Sequence, residues 1–280
     1  MLWGVNIHHR DTGSYSTMPV ATQMALAASM GLKSVRVDVY DATSDTTTWL
    51  SGLHVAADAL GISVLPVVIP NISNTPTQIQ TMAHDLAVAC PWIAIVEAGN
   101  EPDLYCRKPF ASGALKTDYD TTKYTKAKNA IIALYNGFKT ASPAIQVGLN
   151  MVYLDWGFLD RMKADLGGAL WDCTTWHAYL PPGSTGVAAG APPILAQLAA
   201  YGKPVIVTEF NQDKGHLDSS DPQTLLDMMA ALDIGGMSGA YIYELLDEPG
   251  LPGGEATYGL ADAAGTLNTL GSAVRAKLVP

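Results

Sequence analysis

Two phrases in this chain could carry chemistry: Gly99-Asn100-Glu101-Pro102 and Val207-Thr208-Glu209-Phe210. Each sets a glutamate just past an apolar run that reads as a strand buried on both faces. Two carboxyl groups held about 5–5.5 Å apart can cut a glycosidic bond, one as nucleophile and the other as acid and then base. The two must differ in protonation. A nearby arginine favours an ionised Glu209, whereas partial burial and a nearby anion favour a protonated Glu101.

Such a pair needs elements that bring distant parts of the chain together. Apolar runs begin near Leu2, Lys33, Ile62, Trp92, Ile145, Trp171, Pro204 and Gly239. Most are about thirty residues apart, the spacing of successive strand–helix units in a parallel sheet. Met30-Gly31-Leu32, Leu60-Gly61-Ile62 and Tyr201-Gly202-Lys203 place a helix-ending glycine just before a strand. Between them, Ala127, Ile131, Leu134, Tyr135 and Phe138 share one helical face, as do Leu225, Met228, Met229 and Leu232. Eight such units in one α/β chain predict a closed (β/α)8 TIM barrel, a single domain over residues 1–280. An open doubly wound sheet would show a phosphate-binding glycine fingerprint after the first strand. Asn6-Ile7-His8-His9-Arg10 supplies none.

In a barrel, the residues just past each strand line one mouth. Here they are polar: Asn6, His8 and His9; Arg36 and Asp38; Asn71; Asn100 and Glu101; Asn150; Trp176, His177 and Tyr179; Glu209 and Asn211; Tyr241, Tyr243 and Glu244. Strands four and seven face each other across such a mouth, which lets long glutamate side chains approach. Arg36 sits inside a strand and requires an anionic partner. Plainer readings exist. Asn-Glu-Pro alone also marks a helix entry, since proline suits a first turn. Glu97, four residues before Glu101, reads as structural. Trp176 and Tyr243 suit stacking on a sugar ring, although aromatics there also cap cores. Of His8 and His9, one is expected to bind sugar and the other to pack.

With these motifs in hand, the chain resembles the clan A retaining glycoside hydrolases. The resemblance rests on Gly99-Asn100-Glu101-Pro102-Asp103, Val207-Thr208-Glu209-Phe210, His177-Ala178-Tyr179, Arg36 and the tail Tyr258-Gly259-Leu260-Ala261-Asp262. It lies nearest family 39 and the bacterial exopolysaccharide hydrolases. It implies Glu101 as acid/base, Glu209 as nucleophile and Asn100 on the sugar 2-hydroxyl. It also implies Tyr179 and Arg36 as hydrogen-bond partners of the nucleophile, and His177 in the central sugar subsite. Tyr243 stands where many clan members carry a tryptophan. The activity expected is endo-cleavage of β-linkages in a polysaccharide or oligosaccharide. The alternative is a barrel that binds glycan without cutting it, which needs neither glutamate.

The remaining composition narrows partners. With 48% hydrophobic and 15% charged residues the chain can bury a large core. A net charge of -10 and the lack of any basic run argue against nucleic acid. No apolar stretch reaches membrane-spanning length. The segment Met1-Leu2-Trp3-Gly4-Val5-Asn6 reads as a first strand, not a leader, although the substrate class favours an extracellular or periplasmic site. Cys90, Cys106 and Cys173 show no metal-ligand spacing, and read as buried thiols with one disulfide left open. No metal or organic cofactor is implied. A metal-dependent mechanism would draw on His8, His9, His177 and a carboxylate, yet neighbouring strand residues point to opposite faces, so His8 and His9 would not both ligate easily. A monomer is the default expectation.

Overall fold

The computed structural model describes residues 1–168, 170–180, 194, 197–212, 222–252 and 256–279. Its eight strands are β1 (Leu2–Ile7), β2 (Ser34–Val39), β3 (Ser63–Val68), β4 (Ile95–Ala98), β5 (Gln146–Val152), β6 (Cys173–Leu180), β7 (Val205–Gln212) and β8 (Gly239–Ile242). They close in sequence order into one parallel barrel, with β8 pairing back on β1. The fold is therefore the expected (β/α)8 barrel, and each strand starts within a few residues of its apolar run.

Burial on both sides explains the composition of the strands. All six residues of β2 are buried, in the sequence Ser-Val-Arg-Val-Asp-Val. Val35, Val37 and Val39 pack outward into the layer of helices, while Ser34, Arg36 and Asp38 face the barrel interior. The helices enter by local chemistry. Thr75 and Gln78 form a reciprocal capping box ahead of the Pro76–Ala89 helix, with proline in its first turn. Asp120 accepts from the Lys123 N–H at the start of Thr121–Ala141. That helix buries Ala127, Ile131, Leu134 and Phe138 and leaves Tyr135 half-buried. At Gly137 a Cβ would strike the Gln80 carbonyl, so glycine permits the two helices to touch. Gly61 and Gly202, both at φ +67°, turn the chain from helix end to strand.

One irregularity shapes the interior. Trp176 pairs with Val207 but His177 pairs with Glu209, and on the other side Val207 pairs with Ala240 but Phe210 with Ile242. β7 thus holds one residue more than its neighbours, a bulge at Thr208–Glu209. In a regular strand these two side chains would point to opposite faces. Here Thr208 Oγ1 reaches Glu97 and Glu209 reaches Arg36, so both point inward.

All three cysteines are free and buried, which excludes the disulfide the sequence left open. Among the described residues, no helix is long and apolar enough to cross a membrane.

Candidate active site

The interior of the barrel is organised by one cation. Arg36 is 2% exposed, and burial alone would cost it its charge. Its N–H groups are directed to acceptors. Nε donates to Glu97 Oε2 at 2.6 Å, Nη1 to Asn6 Oδ1 at 2.8 Å and to Glu209 Oε1 at 2.7 Å, and Nη2 to Asn100 Oδ1 at 2.7 Å. A further contact of Nη2 runs to His177 Nε2 at 3.5 Å. Burial works against the guanidinium charge, but the Glu97, Glu209 and Asp38 carboxylates outweigh it and raise the arginine pKa. Glu97 is wholly buried and also accepts from the Thr175 and Thr208 hydroxyls. It counters and orients Arg36, a structural task of the kind its place before Glu101 suggested.

Glu209 receives Arg36 on Oε1 and the Tyr179 hydroxyl on Oε2 at 2.5 Å. Burial and the Glu209 charge push the Tyr179 hydroxyl well above its ordinary pKa, so it stays a donor.

Glu101 is held from three directions. Its backbone is left-handed, at φ 47° and ψ 47°, just after Gly99 at φ +88° and just before the Pro102–Cys106 helix. A left-handed glutamate costs about 1–2 kcal/mol, and the surrounding contacts must supply it. Asn150 Oδ1 accepts from the Glu101 N–H at 3.0 Å. His177 Nδ1 lies 2.9 Å from Glu101 Oε1 and 3.4 Å from Glu209 Oε2. A carboxylate oxygen of Glu101 and one of Glu209 lie within 4.8 Å of each other. Burial raises the Glu101 pKa, but the His177 hydrogen bond and the charges of His177, Arg36 and Arg107 outweigh it and hold the carboxyl below its usual range. The sequence expectation of a Glu101 kept protonated by partial burial is corrected for the free protein.

Both glutamates face a cavity of about 530 Å³. Asn100, Tyr179, His8 and Tyr243 also line it. Other predicted sugar ligands do not. Arg36, His177 and Asn150 are 2%, 0% and 0% exposed and sit beneath the lining, where they fix Glu209 and Glu101. Trp176 is a correction: His177 and Tyr179 face inward on β6, so Trp176 alternates outward. Its indole lies in the apolar core with Nε1 donating to the Tyr153 carbonyl. His9 packs on Trp49 at 4.6 Å, and Asn71 accepts from the Ser73 N–H in a turn.

The sequence reading missed several lining residues: Tyr40, Tyr153, Glu248 and Tyr258. Glu248 carried a signal. Glu248-Pro249 repeats the Glu-Pro pair of Glu101-Pro102, again shortly after a strand. The three tyrosines Tyr179, Tyr243 and Tyr258 form a mutually packed wall, with ring centroids 5.6–6.0 Å apart. Behind the Glu101 loop, Asp103 is fully buried and its Oδ2 accepts from the Val152 N–H at 2.9 Å. Burial and the adjacent Asp155 push its carboxyl well above the usual range, and Asp155 pairs with Arg107 at 2.7 Å.

Comparison with known proteins follows this geometry. The β-glucuronidase of Bacteroides uniformis superposes with a TM-score of 0.68 at 13% identity, covering 98% of this chain and 34% of that one. This chain thus spans about a third of that enzyme's length. An endo-1,4-β-D-mannanase of Thermotoga petrophila RKU-1 gives 0.63 at 12% identity, covering 99% of each chain. The virulence factor SghA of Agrobacterium tumefaciens gives 0.67 at 14% identity, over 98% of this chain and 96% of that one. At these identities the likeness is one of fold. No curated protein matches the sequence. The family model described as glycosyl hydrolase catalytic core matches residues 42–274, which takes in both glutamates, and the chain belongs to that family.

Proposed function

We propose that this protein is a retaining glycoside hydrolase acting on β-linked polysaccharide or oligosaccharide, with Glu209 as nucleophile and Glu101 as acid/base. The observation that carries the reading is the approach of the two carboxylates to within 4.8 Å, with His177 Nδ1 between them. That spacing lies on the side of retaining rather than inverting enzymes and suits direct attack by Glu209. Arg36 and Tyr179 hold and orient Glu209. Glu101 must take up a proton before it can donate one to the leaving oxygen. A sugar covering the cavity supports this, because excluding water penalises the second of two adjacent charges. After departure of the leaving group, Glu101 takes a proton from water, which frees the sugar from Glu209.

Asn100, held by Arg36, is proposed to bind the 2-hydroxyl, and Tyr243, with Tyr258, to wall the sugar ring. His8 is proposed to face the sugar from the β1 side. Endo action is proposed because the sequence carries few long insertions that could wall off a pocket, residues 1–280 are proposed to form a single catalytic domain, and nearness to family 39 stays a reading of the motifs. The test is hydrolysis of a panel of β-glucans, xylans, mannans, galactans and bacterial exopolysaccharides beside Glu101→Gln and Glu209→Gln. Cleavage by the parent with the β-anomer released first, lost in both variants, supports the reading. Cleavage retained by both variants overturns it.

A further inference from the structure

A second charged cluster lies outside the Arg36 network. His8 follows β1, Asp38 belongs to β2, Glu244 follows β8 and Glu248 lies four residues beyond it. Asp38 Oδ2 accepts from His8 Nδ1 at 2.6 Å, which fixes the ring and turns Nε2 toward Glu244 Oε2 at 3.2 Å and the Tyr243 hydroxyl at 3.1 Å. Donor atoms of His8, Glu244 and Glu248 all lie within 4.8 Å of one another.

The cluster is short of positive charge. Glu244 is 0% exposed; the Tyr15 hydroxyl donates to its Oε2, but no hydrogen bond reaches Oε1. Glu248 is 2% exposed and its Oε1 also has no hydrogen-bond partner. His8 is the cationic group that acts most strongly on both carboxylates. Three carboxylates therefore converge on one imidazole. Buried carboxylates without donors or cations are costly, and such orphaned oxygens are rare in folded proteins unless a ligand, ion or water meets them. Space has been kept for them: at Gly13, a Cβ would lie 2.5 Å from Glu248 Oε1.

We propose that His8, Glu244 and Glu248 bind one divalent transition-metal ion, Mn²⁺ or Zn²⁺, through His8 Nε2 and one oxygen of each glutamate. One imidazole with two carboxylates suits these ions. A carboxylate on the far ring nitrogen, here Asp38, is the usual way a metal-bound histidine is oriented. Metal–ligand bonds of about 2.0–2.2 Å set donor atoms within about 4 Å of each other, and the three donor atoms here start within 4.8 Å of one another. His8 and Glu248 also line the cavity that Glu101 and Glu209 face, so an ion can enter from it. The site differs from a grouping of His8, His9, His177 and a carboxylate, because His9 packs on Trp49 and His177 belongs to the glutamate pair. The inference is independent of the glycosidase reading.

The test is calorimetric titration of the full chain, stripped with chelator, with Mn²⁺ and separately with Zn²⁺. One ion is expected to bind per chain, with affinity at least tenfold weaker in Glu248→Gln, in His8→Gln and in Asp38→Asn. Glu209→Gln is expected to bind as the parent does. Circular dichroism melts of each metal-free variant establish that it is folded. Folded parent protein that binds neither ion, or equal affinity in parent and Glu248→Gln, overturns the proposal. So does loss confined to Glu209→Gln, which would put the ion between Glu101, His177 and Glu209.

Discussion

Arg36 Nη1 lies 2.7 Å from Glu209 Oε1 while its Nε lies 2.6 Å from Glu97 Oε2, so one guanidinium ties the proposed nucleophile to the deepest carboxylate of the barrel. A lysine offers a single point charge and cannot serve both acceptors together with Asn6 and Asn100. Arg36→Met, which leaves Glu97 buried without its cation, is expected to lose about 3–5 kcal/mol of stability, as for a broken buried pair. Urea melts check the loss. A variant as stable as the parent would contradict the role given to this arginine.

Tyr179→Phe removes one donor from Glu209 and leaves Arg36 in place. A hydrogen bond to a charged group contributes about 1.5–3 kcal/mol. If that donor steadies the nucleophile in the transition state, kcat should fall about 10–100-fold. The same bond also stabilises the fold, so the melting temperature should fall by several degrees, roughly 2–4 °C per kcal/mol. Kinetics on the substrate found in the panel, with a parallel melt, measure both.

The depressed Glu101 pKa has a stability consequence with a definite sign. A carboxyl whose folded pKa lies below its unfolded value, about 4.3 for glutamate, stabilises the fold above that value. The contribution disappears as pH falls through the folded pKa. Burial opposes this shift, and the His177 hydrogen bond with the His177, Arg36 and Arg107 charges produces it. The stability gap between the parent and Glu101→Gln should therefore be steady from pH 7 to 5 and narrow toward pH 3. Denaturant melts at those pH values decide it; a gap that widens on acidification would reverse the assignment.

Asp103 carries the opposite sign. Burial and Asp155 raise its folded pKa, so its contribution is fully present below the unfolded value, about 3.9, and fades as pH rises through the folded one. In Asp103→Asn the side-chain oxygen can still accept from the Val152 N–H, and the amide can donate to Asp155 without titrating. Relative to the variant, the parent should lose stability steadily as pH climbs from 4. A constant difference from pH 4 to 8 would show that Asp103 is ionised throughout.

Much of this architecture could be read in advance, for physical reasons. Strands such as Val64-Leu65-Pro66-Val67-Val68 are covered on both faces, and only a continuous apolar run can satisfy both at once. Arg36 announced its carboxylate partners, because a strand-buried cation cannot lack them. Trp176 was misplaced because alternation along β6 was not applied: once His177 and Tyr179 face inward, the residue next to His177 on the strand cannot. Glu101's protonation was not legible, since the groups that set it come from β2, β6 and the loop that follows β4. The unpartnered oxygens of Glu244 and Glu248 are a property of packing, and no spacing in the chain encodes them.

The extra residue in β7 bears on how this protein is aligned and engineered. Because Thr208 and Glu209 both face inward, a strand without the bulge would bring its corresponding glutamate to the interior one position earlier. Any comparison that forbids a gap within the strand will match Thr208 to the wrong residue of a relative. Deleting Thr208 to regularise the strand would keep Glu209 on the Arg36 side, between outward-facing Val207 and Phe210, but would take the Thr208 hydroxyl away from Glu97. The extra residue is thus what lets one strand present two consecutive polar side chains to the interior, Glu209 to Arg36 and Thr208 to Glu97, and a barrel without it would have to hold Glu97 by other means.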